Sequence, residues 1–346
     1  MRNSDGSLII LKTKIIYGSA PYYLASLGLH LIGITLLFMA AAKHPSFWGL
    51  GLLAYSLGLR HAFDADHIAA IDNTVRKLIQ QDKKSYGVGF YFFLGHSTVV
   101  FLMAILVSIS IKWAKLKLPF LEIVGGRIGS LVSGSFLIAI AAFNFLVLIS
   151  LYRSLKSMKD GSVDEDILND ILMSRGFLAR ILKSFFKCIN RSWQMYPVGF
   201  LFGLGFDTAT EIALIALSAS TAQSGIPTLG IIALPVLFAA GMNLMDTTDS
   251  VMMSGAYTWA FDTPVRKAYY NLTVTTISVI AAFLIGAIEL IQVATSMAHA
   301  QGGIWTWIQN IDFGWLGYGL VLMFLAMWLI AYGIWRFFIK KRETTI

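Results

Sequence analysis

Several apolar runs in this chain exceed about 18 residues, enough for a helix rising 1.5 Å per residue to cross a hydrocarbon layer about 30 Å thick. Of its 346 residues, 57% are hydrophobic and only 13% charged, with a mean hydropathy of +0.70. Soluble domains carry about a quarter charged residues. That balance excludes a soluble enzyme, a nucleic-acid reader and a disordered chain. The expected fold is all-α, a polytopic bundle of membrane helices embedded in a lipid bilayer.

Eight spans are predicted, near 22–42, 47–71, 87–111, 125–151, 196–219, 229–257, 269–297 and 314–338. The second is interrupted by charges. A polar stretch at 152–195 divides the chain into two four-helix halves, 1–151 and 196–346. Lys and Arg collect on the cytoplasmic side of membrane proteins. With the N-terminus inside, the inner segments hold 21 of them and the outer loops five, leaving only Arg60 within a span. Both termini are therefore expected in the cytoplasm. On this reading Arg76, Lys77, Lys83 and Lys84 belong to the loop after span two. The Met39-Ala40-Ala41-Ala42 segment has signal-peptidase character, but the apolar run before it is long for a signal sequence. Within the long loop, Ser162-Val163-Asp164-Glu165 has the spacing of a capping box and predicts a surface helix. One cysteine, Cys188, excludes an internal disulfide and an all-cysteine metal site.

The carboxylates are out of place. Eight of the 19 fall inside or at the edge of predicted spans: Asp64, Asp66, Asp72, Asp207, Glu211, Asp246, Asp249 and Glu289. His61, His67 and His96 accompany them. Six such groups at mid-bilayer oppose insertion by roughly 15–20 kcal/mol before any pairing. Structure alone gives no reason to carry that load, so an acidic interior in a chain of net charge +8 points to a cation site or pathway.

Four clusters hold this chemistry. Arg60-His61-Ala62-Phe63-Asp64-Ala65-Asp66-His67 offers imidazole and carboxylate together, a donor set for nickel, cobalt or zinc. On an ideal helix His61, Asp64 and His67 fan across roughly 120° and Asp66 points elsewhere. Either a helix break near Gly58 gathers all four, or Asp66 meets a neighbouring helix. Gly95-His96-Ser97 follows on span three, where Gly95 permits close helix approach. On span five, Asp207 and Glu211 lie four apart on one face and repel unless a cation or proton separates them. On span six, Asp246 and Asp249 share a face. A short echo relates 63–69 to 206–213, and Gly95 to Gly241, so spans two and three correspond to five and six. An offset of three helices makes these inverted repeats, with the substrate site at their interface.

These four segments, in this order and on these spans, resemble the signatures of the nickel/cobalt transporter (NiCoT) permeases, and the likeness runs from span one to span eight. The resemblance implies an eight-span secondary permease of a bacterial plasma membrane, taking up Ni²⁺ and Co²⁺ at very low concentration, with the metal as substrate and no cofactor. It implies critical roles for His61, Asp66 and His67, with Asp64 beside them. The expected central ligands are His61, Asp66, His67 and His96. Asp207, Glu211, Asp246 and Asp249 supply path or charge balance, and Ser97, Thr208 and Thr247 outer hydrogen bonds. Two other readings compete: an intramembrane zinc hydrolase, which lacks a His-Glu-x-x-His motif here, and a metal exporter, although the 152–195 loop contains no histidine.

Overall fold

The computed structural model describes residues 4–109, 111–160, 189–205, 209–223, 228–261, 264–300 and 302–334. Among these residues eleven α-helices follow one another: α1 Ser4–Ala41, α2 Phe47–His61, α3 Ala65–Gln80, α4 Val88–Ile109, α5 Ile111–Asp160, α6 Met195–Gly203, α7 Ala209–Gln223, α8 Thr228–Phe261, α9 Pro264–Met297, α10 Gly303–Gln309 and α11 Phe313–Ile334. Among the described residues there is no strand. Of the described helices, five (α1, α4, α5, α8 and α9) contain a stretch long and apolar enough to cross a membrane. A sixth candidate is α10 with α11, bent by 70°. The chain is thus an all-helical membrane protein. The capping-box segment, Cys188, Asp207 and Thr208 lie outside the described residues.

Predicted spans two and five are each split. The first split falls at Ala62-Phe63-Asp64, inside the His/Asp cluster rather than near Gly58. There the Phe63 N–H donates to the Arg60 carbonyl and the Asp64 N–H to the His61 carbonyl, closing α2 with tight turns. Asp64 takes an extended backbone (φ −64°, ψ 140°) at the N-cap of α3, a position that favours Asp. Irregular backbone at membrane depth survives only where protein covers it. The cover is α11, whose Gly317 passes so close that a Cβ there would lie 1.6 Å from the Phe63 carbonyl oxygen.

Beyond the break, α3 is the hub of the bundle. It packs against α4, α5, α8, α9 and α11, and every residue from His67 to Leu78 is buried. Its apolar side, with Ile68, Ile71, Val75 and Leu78, joins the largest core cluster. Its polar side is equally enclosed. This corrects the placement of Arg76 and Lys77 in a solvated loop: both are 0% exposed. An amphipathic helix in a membrane bundle buries its polar face when neighbouring helices supply polar groups to meet it, and here they do.

Two matched helix crossings bring the motifs together in pairs, and both run on glycines. Where α2 meets α8, a Cβ on Gly58 would lie 2.0 Å from the Phe238 carbonyl oxygen, and one on Gly241 2.5 Å from that of Tyr55. Where α6 meets α4, a Cβ on Gly199 would lie 1.9 Å from the Phe92 carbonyl oxygen, and one on Gly95 2.0 Å from that of Tyr196. In each crossing the opposed carbonyl stands three residues before the partner glycine. Small residues let membrane helices pack backbone to backbone. The first crossing sets Asp246 on α8 beside the broken α2–α3 segment, and α4 meets α8 at Gly89, where a Cβ would lie 1.8 Å from the Asp246 carbonyl oxygen, which brings His96 to the same place.

Candidate metal centre

His61 ends α2, His67 lies in the first turn of α3, and His96 sits mid-way along α4. Their rings meet in the interior, with centroids 4.6 to 4.9 Å apart, and one nitrogen from each lies within 4.8 Å of the others. All three are buried. The glycine contacts that α2 and α4 each make with α8, at Gly58 and Gly89, and the helix break between His61 and His67 are what bring them there.

Glu211 reaches this group from α7. The distances are 3.0 Å between His61 Nε2 and His96 Nε2, 2.7 Å between His96 Nε2 and Glu211 Oε1, and 4.0 Å between His61 Nε2 and Glu211 Oε1. Both short contacts are hydrogen bonds, so His96 Nε2 is shared between His61 and Glu211, and imidazole and carboxylate donors converging this closely are the kind that divalent nickel and cobalt accept.

The far nitrogen of His61 is held from behind. Its Nδ1 lies 3.0 Å from Asp64 Oδ2 and 3.1 Å from Thr210 Oγ1. A proton kept on Nδ1 by the carboxylate leaves the Nε2 lone pair facing His96, as metal-binding imidazoles require. Asp64 therefore spends its carboxylate on His61 instead of on the N-terminus of α3.

His67 is different. It is 0% exposed, its edge packs on Phe92, and neither ring nitrogen has a hydrogen-bond partner. Asp246, also buried, approaches its Nδ1 to 3.5 Å with both carboxylate oxygens likewise unbonded. Leaving buried polar groups unmatched costs about 1–3 kcal/mol each, and an imidazole facing a carboxylate is a donor pair that suits a divalent cation.

Asp66 does not join the histidines. Half-buried, it accepts the His67 N–H on Oδ1 (2.9 Å) and lines a cavity of about 300 Å³ on the other side of Asp64. Arg60, Asp64, Thr210, Glu289, Gln292 and Asp312 share that cavity, so its floor is formed by the two groups that touch His61. An adjoining cavity of about 440 Å³ shares Ser130, Gln292 and Gln309 and continues to Arg127 and Ser296. Asp249 stays on α8 one turn beyond Asp246, half-buried and away from the rings. Of the expected outer donors, Thr247 bonds Asn243 and Ser97 Oγ has no partner. Thr210 takes the supporting place beside His61. Neither Thr210 nor Asp312 stood out in the sequence, because no spacing rule links a threonine on α7 or an aspartate between α10 and α11 to a histidine on α2. Of the other histidines, His30 bonds Tyr55 and the Ser26 carbonyl, joining α1 to α2.

Comparison with known proteins agrees with this chemistry. A family profile described as NicO, high-affinity nickel-transport protein, matches residues 47–334. The nickel transporter NixA of Staphylococcus aureus is 53% identical over 317 residues, covering 92% of this chain and 94% of that protein. The high-affinity nickel-transport protein NixA of Helicobacter pylori is 48% identical over 330 residues, covering 94% and 98%. The cobalt transport protein NhlF of Rhodococcus rhodochrous is 37% identical over 312 residues, covering 87% of each. No solved structure matches the chain. With most of its length matched both by the profile and by these relatives, the chain belongs to the NicO family of high-affinity nickel-transport proteins.

Proposed function

We propose that this protein is a secondary permease that takes up Ni²⁺, Co²⁺ or both, binding the bare or partly hydrated ion at His61, His67 and His96 with Glu211 and Asp246 as charge partners. The observation that carries the reading is His67: a fully buried imidazole with two unbonded nitrogens, beside two further histidines and an unbonded carboxylate. Imidazole and carboxylate suit these divalent metals. Two carboxylates among neutral rings offset the charge of a dication without gripping it permanently, which release demands. The transport names of the relatives support the same reading.

In this proposal the chain makes eight passes, with the α2–α3 and α6–α7 segments as broken spans, and both termini in the cytoplasm of a bacterium. The halves on either side of 152–195 form inverted repeats. The matched glycine crossings support that symmetry: Gly58 and Tyr55 stand to Gly241 and Phe238 as Gly199 and Tyr196 stand to Gly95 and Phe92. The cavity lined by Asp66, Glu289 and Asp312 is the entry from outside. Asp66 acts there, and Asp249, with Asp207 beyond the described residues, supplies charge along the route.

The test is accumulation of ⁶³Ni and ⁵⁷Co by cells expressing the chain. Accumulation several-fold above empty-vector cells supports uptake, whereas loss of cell metal on expression means export. A binding test stands beside it. In detergent, Ni²⁺ at about 100 times its Kd should stabilise the folded protein by about 2.7 kcal/mol, seen as a rise in Tm that a chelator reverses. Asp312 is exposed at the entry, where charge steers cations in rather than holding them. Asp312→Asn keeps the oxygen that accepts the Gly314 N–H and should raise the KM for uptake about two- to fivefold with the maximal rate unchanged. That difference should shrink as ionic strength rises.

A further inference from the structure

On the opposite side of the histidines from the cavity, a second charged group is closed tight. Arg76 Nη2 donates to Asp72 Oδ2 (2.9 Å), to the Tyr257 hydroxyl and to Ser278 Oγ, while the Tyr257 hydroxyl donates to Asp72 Oδ1. The guanidinium carbon also lies 4.8 Å above the Tyr257 ring centre. Asp72 and Arg76 are 0% exposed, Tyr257 2% and Ser278 0%.

Its place in the bundle follows from the helices. On α3, Asp66 faces the cavity and Arg76 lies ten residues on, about 15 Å along the axis. On α8, Tyr257 lies eleven residues past Asp246, which faces His67. On α9, which runs the other way, Glu289 and Gln292 line the cavity and Ser278 comes eleven residues before Glu289. All three helices put the group about 15 Å from the metal centre, away from the cavity. The intervening interior is polar yet shut. Asn144 donates to Asn73 (2.7 Å), Ser85 meets Ser254 (2.7 Å), and Asp249 lies within electrostatic reach of Asp72. A purely packed membrane core carries no such row.

We propose that the Asp72–Arg76–Tyr257–Ser278 group is a charge lock on the far half of the translocation route, joining α3, α8 and α9 while the cavity side stands open, and parting to let the metal leave. Arg76 is the resident cation that neutralises Asp72 until then. A buried ion pair adds little net stability compared with apolar packing, so its use lies in having two states. The inference rests on the transport reading above.

The test uses a Cys188→Ser background, which removes the single cysteine, with Ser254→Cys as reporter. Ser254 is 0% exposed in this state. A charged, membrane-impermeant thiol reagent is applied from each face in turn. Tyr257→Phe removes the hydroxyl that joins Asp72 to Arg76 but leaves the ring. It should speed labelling from the face bearing the 152–195 loop about ten- to a hundredfold, the population shift expected from losing one hydrogen bond to a charged group. Labelling from the other face should not change, and Ni²⁺ should still raise the Tm. Unchanged labelling with nickel binding intact overturns the lock, as does faster labelling from both faces, which marks general loosening. If Tyr257→Phe does not fold, Ser278→Ala carries the same comparison; if neither folds, the group is structural and the lock is wrong. A parent protein that takes up no nickel fails the transport reading instead, whatever the labelling shows.

Discussion

His67→Leu abolishes metal uptake, lowering ⁶³Ni accumulation at least about 100-fold, while the metal-free protein melts no lower than the parent and by up to a few degrees higher. Both halves of this expectation come from the same two atoms. The His67 ring is fully enclosed, and neither nitrogen is bonded. Replacing it by an apolar side chain of similar reach removes a desolvation cost of about 1–3 kcal/mol and keeps the contact with Phe92. It also removes one of three clustered imidazoles. Loss of an outer supporting group typically costs 10–100-fold in metal affinity, and a direct ligand costs more. Thr210→Val, which removes the hydroxyl beside the far nitrogen of His61, should therefore fall in that smaller range. Gain of stability with loss of function is the usual sign of a site built against the packing optimum. Uptake within twofold of the parent in His67→Leu would remove this residue from the site. Nickel-dependent thermal shifts should vanish in the same variant, which separates a lost ligand from a lost fold.

The histidine cluster was largely legible from residue type. Carboxylates and histidines in predicted spans marked His61, His67 and His96, and the structure brings those three together. Legibility ended where geometry depends on neighbours. A straight helix left the position of Asp66 open; the break at Ala62–Asp64 turns it towards the cavity, while Asp64 turns to His61. No local signal distinguishes the two aspartates, since both stand at turn-favouring positions and the choice is made by what α7 and α11 present. Arg76 and Lys77 misled for a related reason. Counting cations in loops assumes that a charged stretch is solvated, and α3 instead meets Asp72 on its own surface, Tyr257 on α8 and Ser278 on α9. Gly95 was read as a point of close approach, but its partner is Tyr196 and Phe200 on α6. Pairing between helices far apart in sequence is not written in either one alone.

The largest structural effect is expected at Gly58. A Cβ there would meet the Phe238 carbonyl carbon at 2.7 Å and its oxygen at 2.0 Å, and a backbone carbonyl inside a helix cannot rotate aside. To reach ordinary contact α2 and α8 must separate by more than an ångström, and His61 lies only three residues from the crossing on α2, Asp246 five from Gly241 on α8. Gly58→Ala therefore acts twice. Overpacking at such a contact costs about 1–3 kcal/mol or more, lowering the Tm in detergent by several degrees, and the shift draws His61 away from its partners, so uptake falls more than about tenfold. Gly28 on α1 gives the matching control, because nothing lies within 4 Å of a Cβ there. Ala in place of Gly within a helix is favourable by up to about 1 kcal/mol, so Gly28→Ala should match or exceed the parent in Tm and keep its uptake within twofold. Gly199→Ala extends the argument to the second crossing. Its Cβ would lie 1.9 Å from the Phe92 carbonyl oxygen, one helical turn before His96, and the damage should equal that of Gly58→Ala. If Gly58→Ala instead transports and melts like the parent, α2 and α8 do not cross this closely, and the convergence of the motifs has another cause.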